Sequence, residues 1–280
     1  MPVKAVQHVR RMRGGAQSHL MRADDGCFYV VKFRNNPQHV RVLANELLAT
    51  RLAEAVGLPV AGAEVVWVDE WLVKHTPELT IQLAKQSVEC VPGLQFGSRY
   101  VADPLASLVE VFDFLPETMT GRVKNLSAFA GMLAFDKWTC NCNGRQVAFW
   151  RKPRERKYTA TFIDHGYCFN AGEWTFPDAP LLGVYGRNAV YAGVTGWESF
   201  EPWLGRIEAL EDSAIAAAAE AVPVEWYGNW DDMERLVARL AARRNRVREL
   251  IEDFRRTKRD PFPNWRSALE RPGGVMAGLW

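Results

Sequence analysis

The sequence predicts an α+β fold of two lobes: a β-rich N-terminal lobe over residues 1–116, a mainly helical C-terminal lobe over 117–260, and a tail at 261–280. Three observations carry this. The first third alternates turn residues with short runs of β-branched and aromatic residues. The second half places apolar residues three and four apart, the spacing of one helix face. The chain has 280 residues, 48% hydrophobic and 24% charged, enough to bury a sizeable core and typical of soluble globular domains.

Cys27 to Phe33 reads as a strand entered from the turn Asp24-Asp25-Gly26, and with the segment Arg13 to Leu20 upstream the span 13–33 reads as a hairpin. From Asn36-Pro37 the period changes. Val42, Leu43, Leu47, Leu48 and Leu52 mark a helix that Gly57 and Pro59 stop. Residues 64–73 read as one or two strands, and the apolar run Leu108 to Leu115 ends at Pro116. Asn125 to Trp138 is helical and runs into a polar loop, Asn141 to Gln146. Residues 147–150 and 158–163 read as strands flanking the basic turn Arg151 to Lys157. An irregular stretch, Phe169 to Gly196, precedes helices at 198–221 and 230–257, whose arginine-rich end reads as a solvated face favoured by the helix dipole.

Composition also excludes. With 35 Lys+Arg against 33 Asp+Glu, the formal charge of +2 gives no overall field that would hold nucleic acid or an anionic membrane, so no direct nucleic-acid binding is expected. The basic start, Met1 to Arg13, lacks a following apolar stretch, and no run of about 18 apolar residues occurs; the expectation is a cytoplasmic protein without a membrane span. Five cysteines do not make a secreted disulfide framework, and Cys140 and Cys142 lack a second pair at zinc-ligand spacing. They read as small apolar fillers in a reducing compartment.

Four features fall in an order that phosphoryl transfer needs, since a transferring phosphate wants backbone N–H donors, a Lys, carboxylates for a metal and a group that orients the nucleophile. The first is Gly14-Gly15-Ala16-Gln17-Ser18, whose small residues let backbone amides approach a phosphate. No P-loop or dinucleotide-binding glycine pattern accompanies it. The second is Lys32 in its apolar strand, with Glu46 of the next helix fourteen residues further on. The third is the loop from Asp136 to Gln146, rich in amides at the end of an apolar helix. The fourth is Phe162-Ile163-Asp164-His165-Gly166, where a strand delivers a carboxylate suited to magnesium and a glycine permits the turn after it.

Together these residues resemble the HipA-like kinases, bacterial relatives of the protein kinase fold. Gly14-Gly15-Ala16-Gln17 resembles their phosphate loop, Tyr29-Val30-Val31-Lys32-Phe33 their lysine strand, and Asn45-Glu46 through Gly57-Leu58-Pro59-Val60 their characteristic helix, over roughly residues 10–255. The resemblance implies a two-lobed protein-kinase-like fold in which Gly14, Gly15, Ala16, Gln17 and Lys32 bind the ATP phosphates and Glu46 orders Lys32. It implies that Asp164 binds the metal, with Gln146 and Asn141 as further ligands, and that the strand Val109 to Phe114, including Phe112 and Phe114, is the adenine hinge. ATP and magnesium are the implied cofactors, and an antitoxin-type protein is the implied partner.

The catalytic loop departs from the family pattern of Asn, any residue, Asp. Aligning Asn141 with the first Asn puts Asn143 where the catalytic Asp belongs; the other alignment uses Asp136 as base with Asn141 five residues on, the D-x-x-x-x-N spacing of kinase loops. The function expected is an ATP- and magnesium-dependent kinase acting on a protein Ser or Thr, or on a small hydroxylated molecule. The rival is a nucleotide-binding pseudokinase with a regulatory role.

Overall fold

The computed structural model describes residues 1–104 and 108–266. The N-terminal region is strand-rich: β1 (Val3–Arg11), β2 (His19–Ala23) and β3 (Phe28–Lys32) precede helix α1 (Val42–Ala55), followed by β4 (Ala63–Val68), the short helix α2 (Glu70–Lys74), the pair β5 (Thr80–Leu83) and β6 (Gln86–Glu89), and β7 (Gly93–Arg99). Strands β1-β2-β3-β7-β4 close into a barrel in that order. Its core includes Met21 and Tyr29, Val31, Phe33, Val66 and Val68, the last five β-branched and aromatic residues of the kind that a pleated, half-buried surface accommodates best.

The C-terminal region opens with β8 (Glu110–Phe112), which joins β9 (Gln146–Arg151) and β10 (Thr159–Ile163) in an antiparallel sheet of order β10-β9-β8. Helix α3 (Ala128–Thr139) is buried along its whole length against α4 (Trp203–Glu208), α6 (Trp230–Arg243) and α7 (Val247–Arg255), while α5 (Asp212–Glu220) packs on α6 and α1. Helix α1 belongs to this second core: Leu47, Leu48 and Leu52 share a cluster with Phe129, Phe135, Trp138 and Phe162. The segment after β3 therefore ties the barrel to the helices.

Several expectations need correction. The hairpin is β2–β3, starting at His19 rather than 13. Helix α1 starts at Val42, the first apolar residue of the expected helix face, after Pro37 and the turns that follow it. Residues 64–73 hold one strand and one helix: the Asp69 side chain accepts the Trp71 N–H and starts α2, a cap signal inside an apolar run. The helix expected at 198–221 is broken into a 3-10 turn, α4 and α5, and the one at 230–257 into α6 and α7 by the 3-10 turn Arg244–Arg246. Phe262 packs into the main core, so residues 261–266 of the expected tail are part of the folded body; 267–280 lie outside the described residues.

No helix among the described residues is long and apolar enough to cross a membrane, and none of their His, Cys, Asp and Glu side chains form a metal-binding group of three or more. All five cysteines are unpaired thiols.

Candidate active site

Three elements far apart in sequence bring Lys32, Glu46 and Asp164 together. Lys32 is the last residue of β3, Glu46 lies in the second turn of α1, and Asp164 follows the end of β10. The Lys32 ammonium donates to Glu46 Oε1 and, at 2.8 Å, to Asp164 Oδ1. Lys32 is 7% exposed and Glu46 2%. Burial opposes the Lys32 charge, but the two carboxylates outweigh it and raise its pKa, so Lys32 is a fixed cation. Burial also works to raise the Asp164 pKa, but Lys32 overrides it and the carboxyl is held at about 2. Glu46 is pushed up by burial, against the pull of Lys32.

The loop carrying Asp164 is clamped by α1. Glu46 Oε2 accepts the His165 N–H at 2.9 Å. Asn45, fully buried, points its amide nitrogen at the carbonyls of Gly166, Cys168 and Ala171 at 2.8–2.9 Å, while its oxygen accepts the Trp174 indole N–H at 2.7 Å. His39 meets the Gly166 carbonyl at 2.9 Å. Gly166 is required by closeness: a Cβ there would stand 2.6 Å from Val42 Cγ2 and 3.2 Å from Glu46 Oε1. Asp164 itself is held at φ 60, a left-handed conformation in which its surroundings must constrain it.

The polar loop after α3 supplies the other wall. Gln146 donates its amide to Asp164 Oδ2. Arg145 forms a buried double contact with Asp136, including Nε to Oδ2 at 3.0 Å, and donates to the carbonyls of Ile163 and Asp164 at 2.9 and 3.3 Å. His165 Nδ1 lies 3.3 Å from the same guanidinium; burial and that charge hold the ring neutral.

Asp136, one of the two catalytic residues expected of this loop, is closed in: its carboxylate is 1% exposed and both oxygens are bound by Arg145. Asn141, an expected metal ligand, is closed in as well. It is buried, with its nitrogen on Asp136 Oδ1 at 3.0 Å and its oxygen accepting the Asn143 N–H at 3.1 Å. Asn143 is exposed at the loop tip, its oxygen accepting the Gly144 N–H at 2.8 Å.

In the glycine segment, Gly14 takes φ 121, Gln17 takes φ 51, and the Gln17 side chain bonds the Gln82 backbone at both ends, at 2.7 Å. Gly15 lies beside Gln38, and Ala16 is buried. Phe112 and Phe114 do not join the cluster: Phe112 sits edge-on to Tyr158 and Phe114 lies beneath the Arg187 guanidinium at 3.5 Å. Their strand is shorter than expected and pairs with β9, because Glu110 is drawn to Arg151 and Tyr158. Asn45, Arg145 and His39 are the site residues absent from the expected set. Asn45 had a signal, standing next to Glu46 in the helix motif.

A family model described as HipA-like kinase matches residues 5–173, which holds the Lys32, Glu46 and Asp164 elements in full. The chain belongs to the HipA-like kinase family. Helices α4 to α7 of this HipA-like kinase lie beyond the matched stretch. Over nearly the whole chain its fold is similar to the proinflammatory kinase CtkA of Helicobacter pylori, with TM-score 0.57 at 12% identity, covering 92% of this chain and 100% of that one. It is also similar to Fam20 of hydra, solved with sugar, with TM-score 0.53 at 11% identity, covering 91% and 87%. Identity this low speaks to fold alone, and the Helicobacter pylori neighbour is a kinase. No curated protein matches the chain.

One prediction arises from the electrostatics. Because the folded state lowers the Asp164 pKa from its ordinary 3.8 to about 2, Asp164 contributes stability that is fully present above pH 4 and is lost as pH falls toward 2. Glu46, raised by burial, works in the opposite sense. Urea unfolding across pH 2–5 checks this: the wild type loses its advantage over Asp164→Asn as pH falls through that window.

Proposed function

We propose that this HipA-like kinase binds ATP with a divalent cation in a cleft between two lobes meeting near residue 116, and transfers the γ-phosphate to a Ser or Thr hydroxyl of a protein. The observation that carries the reading is the convergence of Lys32, Glu46 and Asp164. A Lys held by a helix Glu aims a fixed positive charge at the α- and β-phosphates, and phosphoryl transfer depends chiefly on such positioning and charge. The backbone at Gly14 and Gly15 covers the phosphates. Phe112 and Phe114 turn away from the cluster, so backbone groups near them, rather than their rings, remain the candidate adenine contacts.

The donor set fits magnesium. Asp164 offers a hard carboxylate and Gln146, already on Asp164 Oδ2, an amide oxygen after rotation of its terminal group. A magnesium ion there would neutralise charge on the phosphates. Two protein ligands leave the remaining positions to water and phosphate oxygens, as this ion prefers.

At the acceptor position stands Asn143. Its amide oxygen can accept a hydrogen bond from a substrate hydroxyl and orient it, but cannot take the proton as a carboxylate does. Orientation without proton acceptance gives a slow kinase. The same residue favours the second reading, a pseudokinase that binds nucleotide and regulates a partner. Location in the cytoplasm suits the five free thiols. An antitoxin-type partner belongs to this proposal through family membership alone.

Nucleotide binding and transfer of the labelled γ-phosphate, measured on the same sample, separate the readings. Asn143→Asp converts the amide to a proton acceptor at nearly constant volume and is expected to raise transfer by roughly tenfold or more, within the range of general-base catalysis. Tight ATP binding with no transfer in either form makes the protein a pseudokinase. A measurable rate that Asn143→Asp leaves unchanged removes Asn143 from the acceptor position.

A further inference from the structure

On the barrel, away from the Lys32 cluster, an open groove of about 710 Å³ runs between β1 and helix α2. Its origin is topological. β4 pairs with β1 only at Val3 and Lys4, after which Asp69 starts α2 and the chain turns away. From Ala5 to Arg11, β1 pairs with β2 alone among the described residues. Val6 to Arg11 thus present a sheet edge of about 20 Å, at roughly 3.3 Å per residue, to the groove.

An exposed edge is a template for another strand, and proteins usually blunt it. Here β1 has register shifts between Ala5 and Gln7 and between His8 and Arg10, which blunt the edge in part, but the groove beside it is lined for contact. Val6 is 50% exposed and Trp71 64%, and Trp71 stacks on His75 with ring centroids 4.4 Å apart. Arg10 and Arg11 stand exposed on the edge strand, their side chains bonded, among the described residues, only to the neutral Tyr100 hydroxyl and Gln17 side-chain oxygen, against the single acid Glu78 of the lining. Two histidines, His8 and His75, complete its titratable groups; burial lowers the His8 pKa while Glu78 pulls it up. The arginine end is therefore positive and the α2 wall aromatic.

We propose that this groove docks an extended acidic segment of a protein partner, added as a strand on the free edge of β1. The backbone edge supplies hydrogen bonds that do not depend on sequence, and alternate side chains supply the choice. Apolar residues of the segment lie on Val6 and the Trp71–His75 stack, and acidic ones face Arg10 and Arg11. Aromatic and arginine side chains are the residue types that anchor such contacts. The site does not use Lys32, Glu46 or Asp164 and holds for an active kinase or a pseudokinase alike, although its Arg11 end bonds Gln17 of the glycine segment.

The test uses the full chain and short fluorescein-labelled peptides of alternating Glu and Val, of alternating Lys and Val, and of the Glu–Val series with a central proline. Anisotropy is expected to show binding of the Glu–Val peptide, weakening with salt, and at least about tenfold weaker binding of the other two, as charge mismatch and a missing ladder donor require. Arg10→Glu and Trp71→Ala, both on exposed side chains, are each expected to weaken it by a similar factor while the far-ultraviolet spectrum is unchanged. Amide exchange at Gln7 and Val9 slows only with the Glu–Val peptide present. Failure of that peptide to bind, equal binding of the Lys series, or indifference to both substitutions overturns the proposal. Slowing of the same amides with rising protein concentration alone also overturns it, and gives the edge to a second copy of this chain.

Discussion

Lys32→Ala lowers the stability of the fold by about 3–5 kcal/mol, the range for breaking a buried ion pair by removing one partner. The loss is large because Lys32 serves two acids: without it, Glu46 at 2% exposure and Asp164 share a buried site with no cation on their near side. Two carboxylates so placed cannot both stay ionised, and Glu46, whose pKa burial already raises, takes the proton. The destabilisation is therefore largest near neutral pH and shrinks as pH falls toward the ordinary carboxylate range, where protonation relieves the repulsion. Urea unfolding of both proteins at several pH values measures it. A difference below about 1 kcal/mol at pH 7, the size of a surface ion pair, would show that water screens the cluster and that α1 does not clamp Lys32.

Asn45→Ala is the second large effect. One side chain satisfies the carbonyls of Gly166, Cys168 and Ala171 and the Trp174 indole, and an orphaned buried polar group costs about 1–3 kcal/mol. A loss of at least about 3 kcal/mol follows from several such groups. Phosphoryl transfer, where present, falls with it, since the Asp164 loop loses its tie to α1. Asn45→Asp separates hydrogen bonding from packing: it keeps the volume but points a carboxylate oxygen at three carbonyls, and is expected to be at least as damaging as alanine. A mild Asn45→Asp would mean that the site needs only the volume.

What the residues declared in advance, and what they did not, follows from sequence distance. Lys32 and Glu46 were legible as a pair, an apolar strand's lysine with a helix acid fourteen residues on; strand alternation alone puts Lys32 on the face opposite Tyr29, Val31 and Phe33, and Glu46 of α1 meets it there. Asp164 was legible as a carboxylate at a strand end before a glycine. The Asp136–Arg145 pair was not, because whether an acid at the end of an apolar helix faces a substrate or its own loop depends on the tight αL turn at Cys140, which returns Arg145 beneath it. Asn141 is held in the same buried knot, its amide nitrogen on Asp136 Oδ1. Helix α2 was hidden because Trp71-Leu72-Val73 suits either period, and the Asp69 cap decides. Barrel closure depends on β7 pairing with both β3 and β4, contacts over more than twenty residues that no local pattern encodes.

Calorimetric titration of ATP and of adenosine into the wild type and Asp164→Asn, each with and without magnesium, tests the central claim most directly. Asp164→Asn keeps the shape and leaves Lys32 paired with Glu46, so the fold is retained. The account predicts that magnesium tightens ATP but not adenosine in the wild type, and that Asp164→Asn loses roughly tenfold or more of that tightening while adenosine binds both proteins alike, since the carboxylate acts on the nucleotide only through the metal and phosphates. ATP affinity that ignores magnesium in the wild type, or a magnesium effect that survives in Asp164→Asn, would contradict it.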